Sequence, residues 1–161
     1  MNNKIIGLFF VLIIGITAFL YKDSFTGYFF QDDWFSFSIS KVQSVNDFLS
    51  FFIPRTDVIY YRPFGMQIPF FLMRSLVGLN PFYYHGVIFL THIGNMFLVF
   101  QLTKLLTKRL FASFLVSFLY TTSAVHYIPF YWFSTYSFVL GPTFFMLSAT
   151  GKFSGIVPPS S

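Results

Sequence analysis

The sequence predicts an all-α membrane protein with about four transmembrane helices and interfacial helices in the first outer loop. Three observations predict it. Of the 161 residues, 55% are hydrophobic and only 9% charged, with a mean hydropathy of +0.68, whereas a soluble domain carries about 25% charged residues. Apolar runs near spanning length recur along the chain. The charges are also sorted. All five acidic residues are Asp and lie between Asp23 and Asp57, while Lys4, Lys104, Lys108, Arg109 and Lys152 lie outside residues 21–83 with no acid among them. The positive-inside rule produces such sorting.

Composition excludes other classes. Without cysteine there is no disulfide and no thiolate metal site. The net charge of +5 does not point to nucleic acid, because the basic residues are dispersed among apolar runs and form no patch.

Ile5–Leu20 is the first expected span, an uncleaved signal anchor with its N-terminus in the cytoplasm. A cleaved signal peptide is the rival, but the run ends Thr17-Ala18-Phe19-Leu20-Tyr21, without a small-residue cleavage site. Residues 21–83 are placed on the outer face. Within Phe35–Phe52, Val42, Val45, Phe48, Leu49 and Phe52 recur at helical spacing, which predicts one amphipathic surface helix ended by Pro54. Pro63–Leu79 opens on a proline suited to a first helical position. Charge parity makes it interfacial or re-entrant: Lys4 and the Lys104/Lys108/Arg109 cluster both belong inside, so an even number of crossings separates them. Gly78-Leu79-Asn80-Pro81 signals a turn. Tyr84–Thr103 then crosses inward and Leu110–Val125 outward. His126–Phe130 makes an external turn, Tyr131–Thr150 crosses inward, and residues 151–161 form a polar tail.

Asp32 and Asp33 stand just outside the first span. Adjacent carboxylates repel, which can raise the proton affinity of one. That suits a general base or a ligand set for a divalent cation; the plainer reading is a solvated loop. Arg62, at a helix start behind Tyr60 and Tyr61, suits a phosphate, or else snorkels to headgroups. His85, His92 and Asn95 share one face of a span. Interhelical hydrogen bonding is the expected role for Asn95 and His92, while His85 is near enough to the outer end to reach a site there. His126 is a weaker candidate. No histidines have a close zinc-ligand spacing. The combined expectation is that at least one of Asp32 and Asp33 faces a cavity under the outer surface, near Arg62 and His85, with Tyr60 and Tyr61 as an aromatic wall.

Several motifs occur in a suggestive order: Phe30-Gln31-Asp32-Asp33-Trp34 after the first span, Tyr61-Arg62-Pro63-Phe64, then Gly78 through His85, then Thr91-His92-Ile93-Gly94-Asn95. This order, over roughly residues 1–150, resembles the GT-C class of membrane glycosyltransferases, near protein O-mannosyltransferases and bacterial lipid-sugar transferases. The resemblance implies transfer of a sugar from a polyprenyl-phosphate donor to an acceptor on the non-cytoplasmic face. It implies a base or metal-holding role for Asp33 or Asp32, and donor-phosphate contact for Arg62, with His85 beside it. The metal, if one is used, would be a divalent cation. Members of the class commonly have many more spans than the four expected here, so the chain reads as the N-terminal part of a longer transferase, with residues 151–161 as a truncation end. The rival from another class is a non-catalytic bundle, part of a transporter or an assembly partner. Polar residues in broken helices at mid-membrane would mark a transporter, whereas these acids lie outside the spans.

Overall fold

The structure is a computed structural model that describes residues 3–54 and 61–156. Arg55, Asp57, Tyr60 and residues 157–161 of the expected tail lie outside the described residues. Among those described the chain is helical and has no strand. By length and composition two segments can cross a membrane, Pro81–Thr107 and Leu110–Tyr131, and Lys4–Leu20 is a shorter apolar helix.

The first helix, α1 (Asn3–Leu20), covers the Ile5–Leu20 segment as a helix. A 3-10 turn at Lys22–Thr26 follows it. The single amphipathic helix expected over Phe35–Phe52 is instead two, α2 (Asp32–Ile39) and α3 (Val45–Ser50). The break has a local cause. Ser44 caps α3 by accepting the Asp47 N–H, and the Asp47 carboxylate accepts the N–H groups of Gln43 and Ser44, a reciprocal capping box that starts a new helix at that point.

Pro63–Gln67 forms a π-turn that leads into α4 (Ile68–Val77). Pro69 has no N–H with which to close an α-turn onto Gly65, and the chain widens there, with the Ile68 N–H bonding to the Pro63 carbonyl. Five π residues followed by ten α residues are fewer than the roughly 20 that a crossing takes. Gly78 ends α4 at φ 66°, a conformation suited to glycine. Asn80 then caps α5 (Pro81–Thr107) by accepting the Phe82 N–H at 3.2 Å, with Pro81 in the first turn. The turn signal was therefore a helix stop followed by a helix start.

Lys108, left-handed at φ 54°, closes α5 with its N–H on the Lys104 carbonyl. The chain reverses directly into α6 (Leu110–Thr122). Ser113, Ser117 and Thr121 of α6 are fully buried, a row of small side chains that lets helices approach closely. The helix expected over Tyr131–Thr150 starts later. After a 3-10 turn at Ala124–His126 and the short α7 (Tyr127–Tyr131), Trp132 is extended, Phe133–Thr135 forms another 3-10 turn, and α8 runs Ser137–Ile156 rather than starting at Tyr131. The segment Tyr131–Tyr136 belongs to the connection because it is held sideways by the packing described next.

α5 packs along both α6 and α8, and α1 lies against α6. At one end of this bundle a closed circuit of edge-on aromatic contacts joins distant parts of the chain: Phe29 to Phe37, Phe37 to Phe70, Phe70 to Phe133, Phe133 to Tyr84 and Tyr84 back to Phe29, each with ring centroids 4.8–4.9 Å apart. Such pairs add about 0.5–1.5 kcal/mol each beyond the area they bury. They hold the first connection, α2, α4, α5 and the 133–135 turn as one layer.

Candidate functional site

Asp32 and Asp33 open α2 rather than sitting in a loop, in the first turn where acids complement the helix dipole. Asp32 points outward and is exposed, while Asp33 is 1% exposed. One Asp33 oxygen accepts the Phe30 N–H at 3.0 Å. The other accepts both the N–H and the hydroxyl of Ser134, each at 2.7 Å. Ser134 Oγ also lies 3.0 Å from Ser36 Oγ, one turn along α2. Burial pushes the Asp33 carboxyl above the ordinary carboxylate range, and the donors from Phe30 and Ser134 and the nearby His85 oppose that shift without cancelling it.

His85 is 2% exposed, one turn into α5. Its Nδ1–H donates to the Phe130 carbonyl at 2.8 Å; a carbonyl only accepts, so the proton is on Nδ1 and, in the neutral ring, Nε2 carries the lone pair. Nε2 is buried without a hydrogen-bond partner, beside Gly27, where an added Cβ would lie 3.8 Å away.

Arg62 is elsewhere. Its Nη1–H donates to Ser137 Oγ at 3.3 Å, and the guanidinium lies 5.4 Å from the Phe138 ring centre. It forms part of the wall of a cavity of about 380 Å³, lined also by Phe52, Tyr61, Pro63, Phe64, Gly65, Ser137, Leu140, Gly141 and Phe144. That volume falls in the range of small-molecule sites. Gly65 makes the close approach of the π-turn to α8 possible, since a Cβ there would stand 2.5 Å from the Ser137 Cβ. The Tyr61 hydroxyl donates to the Phe52 carbonyl at 2.8 Å, which fixes one rim.

The expected constellation is thus divided. Asp33 and His85 share a buried node, whereas the cavity lining holds Arg62 and Tyr61 but neither Asp32, Asp33 nor His85. The carboxylate expected to face the cavity turns inward because Ser134 supplies two donors there. His85 turns to the Phe130 carbonyl rather than towards Arg62. His92 and Asn95 are buried in helix contacts, with Nε2–H of His92 donating to the Thr121 carbonyl and Nδ2–H of Asn95 to the Val139 carbonyl.

Three residues were missed from the sequence: Ser134, Ser137 and Gly65. The two serines meet Asp33 and Arg62 across 101 and 75 residues of chain, and no local pattern encodes a contact at that range. Gly65, next to a proline-opened helix, carried a weak signal of close packing. A divalent cation does not fit the acidic pair. Both Asp33 oxygens are engaged by protein donors, and no group of three or more ligating residues forms among the described residues. Comparison with family models, with curated proteins and with solved structures finds no match.

Proposed function

We propose that this chain is the N-terminal, donor-side part of a membrane transferase of the GT-C type, which moves a sugar from a polyprenyl-phosphate carrier to an acceptor on the non-cytoplasmic face. One observation carries the reading: a guanidinium and a hydroxyl, Arg62 and Ser137, stand in a cavity wall otherwise made mostly of Phe, Pro, Leu and Gly. A phosphate on an apolar tail has that chemistry. In this reading α1 and α8 complete four crossings around α5 and α6, with α2, α3 and α4 at the outer surface. Two features support that arrangement. The first connection and the 133–135 turn meet at Asp33 and Ser134, as two outer loops would, and the basic Lys108–Arg109 turn lies between the two segments able to cross.

The base that takes the acceptor hydroxyl's proton is one of two carboxylates. Asp33 has a proton affinity raised by burial, and Asp32 has the access. The test is sugar transfer by a full-length parent in which Asp32→Asn and Asp33→Asn are made separately. At least one variant is expected to lose about 10²–10⁴-fold in rate while inserting normally. Parental rates in both would end the catalytic reading and leave a non-catalytic bundle. The topology has its own test. Because the chain has no cysteine, Ser44→Cys and Thr107→Cys give single labelling sites, expected to react with an impermeant reagent from opposite sides; labelling of both from one side would refute the arrangement.

A further inference from the structure

Below the Asp33 node, three aromatic side chains from α5, α6 and the 3-10 turn after it form a contact triangle. The His92 and His126 rings are 4.3 Å apart, Tyr120 and His126 4.7 Å, and His92 and Tyr120 5.3 Å. Each carries one buried polar atom with no hydrogen-bond partner: His92 Nδ1, Tyr120 Oη and His126 Nε2. Unpaired buried polar atoms are uncommon singly, and three on mutually touching rings call for a shared cause.

Their chemistry can be assigned. The Nε2–H of His92 donates to the Thr121 carbonyl at 3.0 Å, so Nδ1 of the neutral ring is a lone pair. His126 Nε2 is the third unpartnered atom, able to donate or to accept according to the tautomer of the neutral ring. The Tyr120 hydroxyl supplies one O–H. Asn95 commits one Nδ2–H to the Val139 carbonyl and its Oδ1 to the Thr143 hydroxyl, and its second Nδ2–H can only donate to the phenol oxygen, so the Tyr120 O–H stays unspent. An acceptor at His92, a donor at Tyr120 and a His126 nitrogen that takes either role are what a single water matches; buried waters make about three such bonds.

We infer that His92, Tyr120 and His126 enclose a binding site for an ordered water inside the helix bundle, independent of any transferase chemistry. A metal ion is a poorer occupant, since it needs lone pairs from all three groups and therefore a deprotonated Tyr120. The three polar groups come from α5, α6 and the 3-10 turn at Ala124–His126, so the water adds a polar link among them beside the bond from His92 Nε2–H to the Thr121 carbonyl. It also accounts for two histidines lodged in an apolar bundle, since polar groups at such depth face protein partners or water.

X-ray hydroxyl-radical footprinting of the intact protein in lipid nanodiscs tests this, because radicals formed at a bound water mark the side chains that hold it. Tyr120 is expected to be modified much faster than Tyr84, a fully buried tyrosine whose hydroxyl is already bonded to the Gly78 carbonyl. His92→Phe removes one of the three bonds to the water and is expected to lower Tyr120 modification about tenfold. A second variant, Tyr120→Phe, keeps the ring and is read by the ¹⁵N resonance of His92 Nδ1, which is expected to move towards that of an unbonded lone pair. Tyr120 labelled no faster than Tyr84, labelling unchanged in His92→Phe, or stoichiometric metal in the purified protein would each overturn the inference.

Discussion

The Asp33 node and the Arg62 cavity hang on the same short stretch of chain, yet one is closed and the other open. Phe133 completes the aromatic circuit, Ser134 donates twice to Asp33, Tyr136 Oη pairs with Thr91 Oγ1 at 2.9 Å, and Ser137 receives Arg62. At Asp33 both carboxylate oxygens are committed to protein donors in a site shut off from solvent. At Arg62 a cation and a hydroxyl border open space. The contrast teaches that a charged group enclosed by donors becomes a fastener between distant segments, whereas one in a cavity wall still borders room that another group could enter.

The largest expected effect breaks the fastener. Asp33→Ala leaves the Ser134 N–H and hydroxyl and the Phe30 N–H buried without an acceptor, and is expected to cost about 3 kcal/mol or more. Thermal unfolding in detergent checks this, with Trp34 and Trp132 as probes near the node. A loss well under about 1 kcal/mol would mean that the node is hydrated and the contrast false. Gly65→Ala addresses the open side. Its new Cβ meets Ser137 at 2.5 Å, so the π-turn and α8 must part, at an expected cost of about 1–3 kcal/mol. Unchanged stability would show that α8 shifts freely, and that the cavity wall is not fixed.

The smallest effect sharpens the comparison through pH. Asp33 holds its proton above its ordinary 3.8 because it is buried. The folded protein therefore keeps a proton that the unfolded chain releases. That contribution to stability is present below about pH 4 and is lost as pH rises through the folded value. Asp47 behaves oppositely: its carboxylate accepts the Gln43 and Ser44 N–H groups at the exposed cap, which holds it below 3.8. Its contribution is present above about pH 4 and is lost as pH falls. Unfolding midpoints followed upward from about pH 4 should fall more steeply for the parent than for Asp33→Asn, and followed downward they should fall more for the parent than for Asp47→Asn. Equal slopes in parent and Asp33→Asn would remove the claim that burial dominates at Asp33.

What could be read from sequence follows the range of the interaction. The start at Pro63, the stop at Gly78 and the end of α1 depend on a few adjacent residues, and the structure places them close to expectation, while α5 runs Pro81–Thr107, beyond both ends of the expected Tyr84–Thr103. The capping box at Ser44 and Asp47 was equally local, but the periodic apolar residues from Val42 to Phe52 drew the eye across it, and one helix was read where two stand. The displacement of α8 from Tyr131 to Ser137 could not be read locally. It comes from Phe133 and Ser134 being held by Phe70, Tyr84 and Asp33. For the same reason the place of the acidic pair shortly after α1 is legible in the sequence, while the inward turn of Asp33 onto Ser134 is not.

The π-turn at Pro63–Gln67 acts on phase. An α-helix turns about 100° per residue, so the extra residue in this one wide turn sets the rotation of everything in α4 relative to Arg62. Removing a single residue between Arg62 and Ile68 would let the segment close as ordinary α-helix and swing Phe70 and Met73, now buried, about a quarter turn away from the aromatic circuit. Arg62 on α8 and Phe70 in the circuit are therefore compatible only at this residue count. Length in this short stretch is constrained, as is the lack of a side chain at Gly65, and an insertion or deletion there would be felt on both sides of the turn at once.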